Sequence, residues 1–147
     1  EHSLHTDGAG AGEYRGGSGA VRVYRSMNEN QTFTASFGRN KWPVWGAAGG
    51  KDGSVNYFQF IDADGTVSEP MGIAARRVMN TNDVVRMVTA TGGGYGNPFK
   101  RPAEKVAMDV KNEYITVEQA KADYGVLVDP ETFKVLGLTE ERQKAEK

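Results

Sequence analysis

The sequence predicts an α+β protein, β-rich over its N-terminal two-thirds and closed by two or three short C-terminal helices. Three observations carry this. Apolar and polar residues alternate in Ala20–Arg25 and again in Gln31–Phe37, the two-residue period of a half-buried strand. Apolar runs up to Thr89 are separated by clusters of Asn, Asp and Gly, which punctuate strands. After Pro102 the apolar spacing changes to three and four residues, the period of a helix.

In chain order, residues 1–19 are small and polar, with Gly8-Ala9-Gly10-Ala11-Gly12 followed by Glu13-Tyr14-Arg15-Gly16-Gly17. No hydrophobic period survives there, and the segment reads as loop. Ala20–Arg25 and Gln31–Phe37 flank the turn residues Asn28-Glu29-Asn30, so a β-hairpin is predicted, with Phe33, Ala35 and Phe37 on one face. Residues 39–53 form an aromatic and glycine loop, and Pro43 argues against a central strand there. Val55–Ile61 reads as a strand. Asp62-Ala63-Asp64-Gly65 reads as a tight turn leading to a short strand at Thr66-Val67. Asn80–Asp83 is another turn, before a strand over 84–89.

A second glycine loop, Thr91–Pro98, precedes the helices. Pro102 suits the first helical position, with Ala103, Val106, Ala107 and Val110 sharing a face. Thr116 and Gln119 fit a capping box, and Gly125 a left-handed C-cap. Val126-Leu127-Val128 is a short apolar run stopped by Asp129-Pro130, and Thr139-Glu140-Glu141 could start a last, polar helix. The expected organisation is a single domain over residues 1–147: loop to 19, β-rich over 20–90, glycine loop plus helices over 91–147.

Composition narrows the function. The net charge is −1 and no basic face is implied, which argues against nucleic acid. There are no cysteines, so disulfides, thiolate metal sites and a cysteine nucleophile are excluded. No apolar run reaches membrane-spanning length and no signal-peptide core is present; a soluble, cytoplasmic protein is expected. Glu1 in place of Met suggests a start inside a longer product. With 19 glycines and 38% apolar residues, a thin core or a surface completed by partner chains is expected.

Each candidate site has a plainer rival. Gly92-Gly93-Gly94-Tyr95-Gly96 invites a phosphate-loop reading, because successive N–H groups can cradle an anion. It lacks the Gly-Lys-Ser/Thr ending and a surrounding β-α-β unit, so close backbone packing is favoured. His2 and His5, with Asp7, could form a metal corner of zinc or manganese type; a solvated terminus is favoured. Asp62–Gly65 begins like a calcium loop, but position twelve would be Ile73. Trp42, Trp45 and Arg39 could stack on a flat ligand; pinning a loop to the core or to a partner chain is favoured. Tyr14, Arg15, Tyr95 and Arg101 are candidates for interface contacts. No Ser-His-Asp or Cys-His set can be assembled.

Two stretches carry a resemblance. Gly8–Gly17, with its Tyr14-Arg15-Gly16-Gly17, resembles a signature of hydantoinase B-type subunits. Thr91–Pro98 resembles that family's glycine loop, followed in order by Arg101, Val106, Asp109-Val110, Ile115–Ala120 and Asp123-Tyr124-Gly125-Val126. Trp45-Gly46 with Gly49-Gly50-Lys51 and Gly53 matches a third segment. The likeness runs over residues 8–128 and is to the C-terminal part of such subunits.

The resemblance implies an ATP-dependent enzyme that activates a carbonyl oxygen or bicarbonate by phosphorylation, as in 5-oxoprolinases, N-methylhydantoinases, and acetone and acetophenone carboxylases. It implies ATP with magnesium on hydantoinase A-type subunits, and a divalent metal, zinc or manganese, on a different part of the B-type subunit. No catalytic, cofactor or metal residue carries over to this chain. The expected function is a small, non-catalytic structural subunit of an acetophenone carboxylase-like ketone carboxylase, which turns ketone, bicarbonate and ATP into a 3-oxoacid. Its expected partners are hydantoinase A-type and B-type large subunits in a hetero-oligomer. The alternatives are part of a cyclic-amide hydrolase of the 5-oxoprolinase or N-methylhydantoinase type, and a stand-alone small-ligand binding module.

Overall fold

A computed structural model describes residues 1–6 and 8–145. The fold is α+β, as expected. Six strands come first: β1 (His2–His5), β2 (Gly19–Arg25), β3 (Gln31–Ser36), β4 (Tyr57–Ile61), β5 (Ile73–Met79) and β6 (Val84–Val88). A 3-10 turn at Pro98–Lys100 leads to α1 (Ala103–Lys111), α2 (Val117–Tyr124), β7 (Val126–Val128), β8 (Val135–Leu138) and α3 (Glu140–Ala145). The chain divides into two compact units. The first holds residues 1–5, 19–43 and 55–90; the second holds 6–18, 44–54 and 91–147. Among the described residues, no helix is long and apolar enough to cross a membrane.

The first unit is two stacked antiparallel sheets, one in the order β1-β2-β6-β4 and one of β3 with β5. The predicted hairpin of β2 with β3 does not form. β2 pairs instead with β1 and β6, and β3 crosses to the other sheet to pair β5. Alternation fixes which face of a strand is buried, not which strand lies beside it. Phe33 meets Phe58 and Phe60 edge-on at 5.8 and 5.4 Å, and Phe37 meets Phe58 at 5.5 Å. Stacking buries those rings between sheets, which side-by-side pairing would not. The Asn-rich turn follows suit: Ser26 and Asn82 are joined by a backbone hydrogen bond of 2.9 Å, tying it to the 80–83 turn.

Two further strands of the first unit escape a reading by period, as does β8 of the second. β1 lies in the segment read as loop, and pairs with β2 from His2↔Arg22 to His5↔Gly19. β5 buries Ala74 and Met79, an odd spacing that a regular strand cannot put on one face. A register shift opposite Phe33/Ala35, with Arg76 at φ +52, is the bulge that makes this possible. The turn at Asp62–Gly65 is as read: Gly65 takes φ +90, and its N–H donates to Asp62 O at 2.8 Å.

The second unit has its own core of Ala11, Val106, Ala107, Val110, Ile115, Ala120, Tyr124, Val126 and Val128. Three of the four residues expected on the inner face of α1 are fully inside, and Ala103 packs at the margin. Pro102 stands one place earlier than expected, at the N-cap. The capping box of α2 is complete: Gln119 N–H donates to Thr116 Oγ1 at 3.1 Å, and Thr116 N–H to Gln119 Oε1 at 2.8 Å. Gly125 closes the helix at φ +64. Thr116→Ala is expected to lower stability by about 1 kcal/mol, read by thermal denaturation, with Thr116→Ser close to neutral.

β7 pairs antiparallel with β8. Between them Asp129 does more than stop a strand. The N–H of Thr132, the Thr132 hydroxyl and the N–H of Glu131 all donate to its carboxylate, holding it below the usual carboxylate range.

Candidate functional site

The sequence features with the strongest claim to function converge in the second unit. Three glycine-bearing segments, 8–17, 44–54 and 91–97, lie directly on one another. Gly10 N–H donates to Gly92 O at 2.9 Å, Gly92 N–H to Gly17 O at 2.8 Å, and Lys51 N–H to Ala11 O at 2.7 Å. Gly94 N–H donates to Lys51 O at 2.9 Å and Gly96 N–H to Ala47 O at 2.9 Å. Tyr14 and Tyr95 exchange backbone hydrogen bonds of 3.0 and 2.9 Å.

This web decides the phosphate-loop question. An anion cradle needs several free N–H groups pointing one way. The N–H groups of Thr91, Gly92, Gly94, Tyr95 and Gly96 are all spent inside the protein. Glycine is needed because nothing larger fits. A Cβ at Gly94 would lie 2.2 Å from Ala11 O, and one at Gly50 2.2 Å from Gly94 O.

Thr91 is the pin of the web, and only its place in a motif was legible from sequence. It is fully buried. Its Oγ1 donates to Gly8 O at 2.8 Å and accepts from Ser54 N–H at 2.9 Å, so one hydroxyl joins all three segments. Thr91→Val keeps the shape and strands both partners. It is expected to cost about 3 kcal/mol, on the scale of two buried polar groups left unsatisfied, read as a lower urea midpoint with an unchanged slope.

Beside the web lies a buried ion cluster. Asp109 Oδ2 on α1 accepts from Arg101 Nε at 3.0 Å and Nη2 at 2.8 Å, with Arg15 Nε at 3.6 Å. Arg101 Nη1 also donates to Glu13 O at 3.0 Å. Arg15 donates to Gly16 O at 2.9 Å and lies over the Tyr114 ring, 4.7 Å from its centroid. Arg142 donates to Tyr124 O and Arg101 O. Burial pushes the Tyr124 hydroxyl up from its ordinary value, with Arg101 the main opposing influence.

The expected interface residues therefore separate. Arg15 and Arg101 are turned inward, with side chains 14% and 13% exposed. Arg101 satisfies the Asp109 carboxylate and the Glu13 carbonyl at once, whereas Arg15 donates to Gly16 O and faces Asp109 only as an ion pair, its Nε without a hydrogen bond. They tie the loops to α1 rather than presenting charge outward. Tyr14, Tyr95 and Trp45 are outward, 63%, 57% and 73% exposed, and the two tyrosine rings are 6.2 Å apart. Trp42, in the first unit, is 73% exposed. Neither tryptophan pins its loop to a core.

His2 and His5 stand three apart on β1, so they point to opposite faces. His5 Nδ1 is 2.8 Å from Thr89 O. Asp7, the third member of that candidate corner, lies outside the described residues. Among the described residues no three His, Cys, Asp or Glu side chains cluster as metal ligands.

Asp109 was not read as a site residue, although a signal existed. It follows Val106 by three positions and precedes Val110, so it flanks the apolar face of α1, where a charge demands a partner.

A sequence model of the hydantoinase B/oxoprolinase family matches residues 1–98. The chain belongs to that family. Three curated relatives agree. An uncharacterised protein of Methanocaldococcus jannaschii is 34% identical over 87% of this chain and 22% of its own length. The beta subunit of the caprolactamase of Pseudomonas jessenii is 31% identical over 87% and 22%. The B subunit of a putative D-/L-hydantoinase from a Pseudomonas species is 30% identical over 86% and 22%.

Among solved structures, the ATP-dependent caprolactamase of Pseudomonas jessenii matches with a TM-score of 0.77 and 30% identity, over 99% of this chain and 25% of that one. An acetone carboxylase, solved without nucleotide, matches with a TM-score of 0.77 at 19% identity, over 98% and 23%; this likeness is one of fold. The chain thus spans about a quarter or less of each protein it matches. In this chain the glycine web lies within the matched residues 1–98, and Arg101 and Asp109 of the ion cluster follow them.

Proposed function

We propose that this chain is a non-catalytic structural module of a heteromeric, ATP-dependent enzyme that opens cyclic amides. The observation that carries this reading is the closed state of its polar groups. The glycine-loop amides named above, Asp109 and Arg101 are hydrogen-bonded within the module and Arg15 is ion-paired there, which leaves the web built to hold shape. Arg15 Nε and the Tyr124 hydroxyl are the buried side-chain atoms left without a hydrogen bond among the described residues. Relatives bearing the names of a caprolactamase and a hydantoinase, at 31% and 30% identity, favour the cyclic-amide substrate. The ketone carboxylase expected from the sequence takes second place, because the likeness to acetone carboxylase, at 19% identity, speaks for fold alone. On this reading ATP and any divalent metal sit on other parts of the assembly, among hydantoinase A-type and B-type chains.

The test is to purify the assembly from its source through a tag on this chain, then supply ATP with lactams and hydantoins, or with ketones and labelled bicarbonate. Amide opening coupled to ATP hydrolysis is expected from the assembly, and no turnover from the isolated chain. Bicarbonate incorporation without amide opening would reverse the order of the two readings.

A further inference from the structure

The glycine web sets three large aromatic side chains in water and fixes the backbone beneath them. Tyr14, Trp45 and Tyr95 come from three separate segments, and each remains more than half exposed. Tyr95 is bridged to Tyr14 on one side and to Ala47 on the other. Tyr95 stands between Gly94 and Gly96, and Trp45 is followed by Gly46, so the chain beside these two rings carries few side chains to cover them. Trp45 O lies where a Cβ of Gly93 would be, 2.1 Å away, so its backbone cannot shift without displacing the third segment. Exposed Tyr and Trp on a backbone already fixed are the composition and preorganisation of an interface hot spot.

We propose that Tyr14, Trp45 and Tyr95 form the docking surface for the remaining part of a hydantoinase B-type chain, whether it arrives on the same polypeptide or on another. This rests on the reading that the module works inside a hydantoinase-type assembly. The occupant follows from size. The caprolactamase structure holds this fold over 99% of the present chain, yet that accounts for only 25% of its own, and the curated relatives give 22%. Three-quarters of such a chain lies outside the part that this module matches, and a rigid aromatic surface is what buries most area at least entropic cost.

Hydroxyl-radical footprinting read by mass spectrometry tests this residue by residue, on the isolated chain and on the assembly from its source. Oxidation at Tyr14, Trp45 and Tyr95 is expected to slow by about tenfold or more on assembly, as in the water-excluded centre of an interface. Trp45→Ala is expected to return Tyr14 and Tyr95 toward their isolated-chain rates, while the isolated variant keeps its melting temperature. Unchanged rates in an assembly that does contain a hydantoinase-type large chain would overturn the docking surface and leave the proposed function standing. An assembly without any hydantoinase-type chain would overturn both. Protection already present in the isolated chain, at the mass of a dimer, would assign the surface to a second copy and overturn the proposal.

Discussion

Replacing Gly94 by alanine is expected to destabilise the second unit by about 3 kcal/mol or more, the upper range of overpacking in a closed core. The new methyl would stand 2.2 Å from Ala11 O and 2.7 Å from Gly10 O. Neither neighbour is a side chain that can rotate away. Ala11 O is held by Lys51 N–H, while Gly94 donates to Lys51 O and accepts from Ala47 N–H. Relief would break hydrogen bonds across all three segments together. Gly17→Ala is the matched control: nothing lies within 4 Å of its added carbon, and a near-neutral or slightly stabilising change is expected. Urea denaturation of the pair separates the cost of close approach from the general cost of losing a glycine. Equal midpoints for both variants would show that the web can yield.

Removing the Asp109 carboxylate is the second large effect. Asp109→Ala leaves the guanidinium groups of Arg15 and Arg101 buried without their anion, and a loss of about 3–5 kcal/mol is expected. The cost comes from stranding charge, since the net worth of a buried ion pair is small once desolvation is counted. The distinction is testable. Asp109→Asn, which keeps an acceptor for Arg101, is expected to lose less. Asp109→Leu combined with Arg101→Met is expected to recover part of the loss of Asp109→Ala. A double variant less stable than the single one would assign the effect to the geometry of Arg101 against Glu13 O instead.

Much of the architecture was legible because local rules and the final fold agree. Thr116 and Gln119 make the capping box their spacing implies, and Gly125 takes the left-handed cap. Phe33 and Phe37 face a core as their alternation requires. What escaped was of two kinds. Strand partnership is set by long-range burial, so nothing in Asn28–Asn30 reveals that β3 leaves β2 for β5. β5 was hidden because the bulge at Arg76 breaks the two-residue period that announces a strand. The site was legible by composition and not by role. The glycines pointed to close backbone packing, and they provide it. Whether Arg15 and Arg101 face outward or inward could not be read without knowing that Asp109 lies beside them.

The web also imposes an order on how the protein is made. Its first segment ends at Gly17, and its last begins at Thr91, more than seventy residues later. Gly10 and Gly17 find their partner, Gly92, only after that last segment exists, whereas every strand of the first unit, β1 to β6, lies before it. During N-to-C synthesis the β-sandwich has its whole sequence available while the first two glycine segments still lack the third. The second unit closes last, by a long-range event whose loop-closure entropy slows it. Until Thr91 arrives, the first two glycine segments can share only the bonds that run within and directly between them, such as Lys51 N–H to Ala11 O, and the step that locks them is the same step that creates the Tyr14–Tyr95 surface.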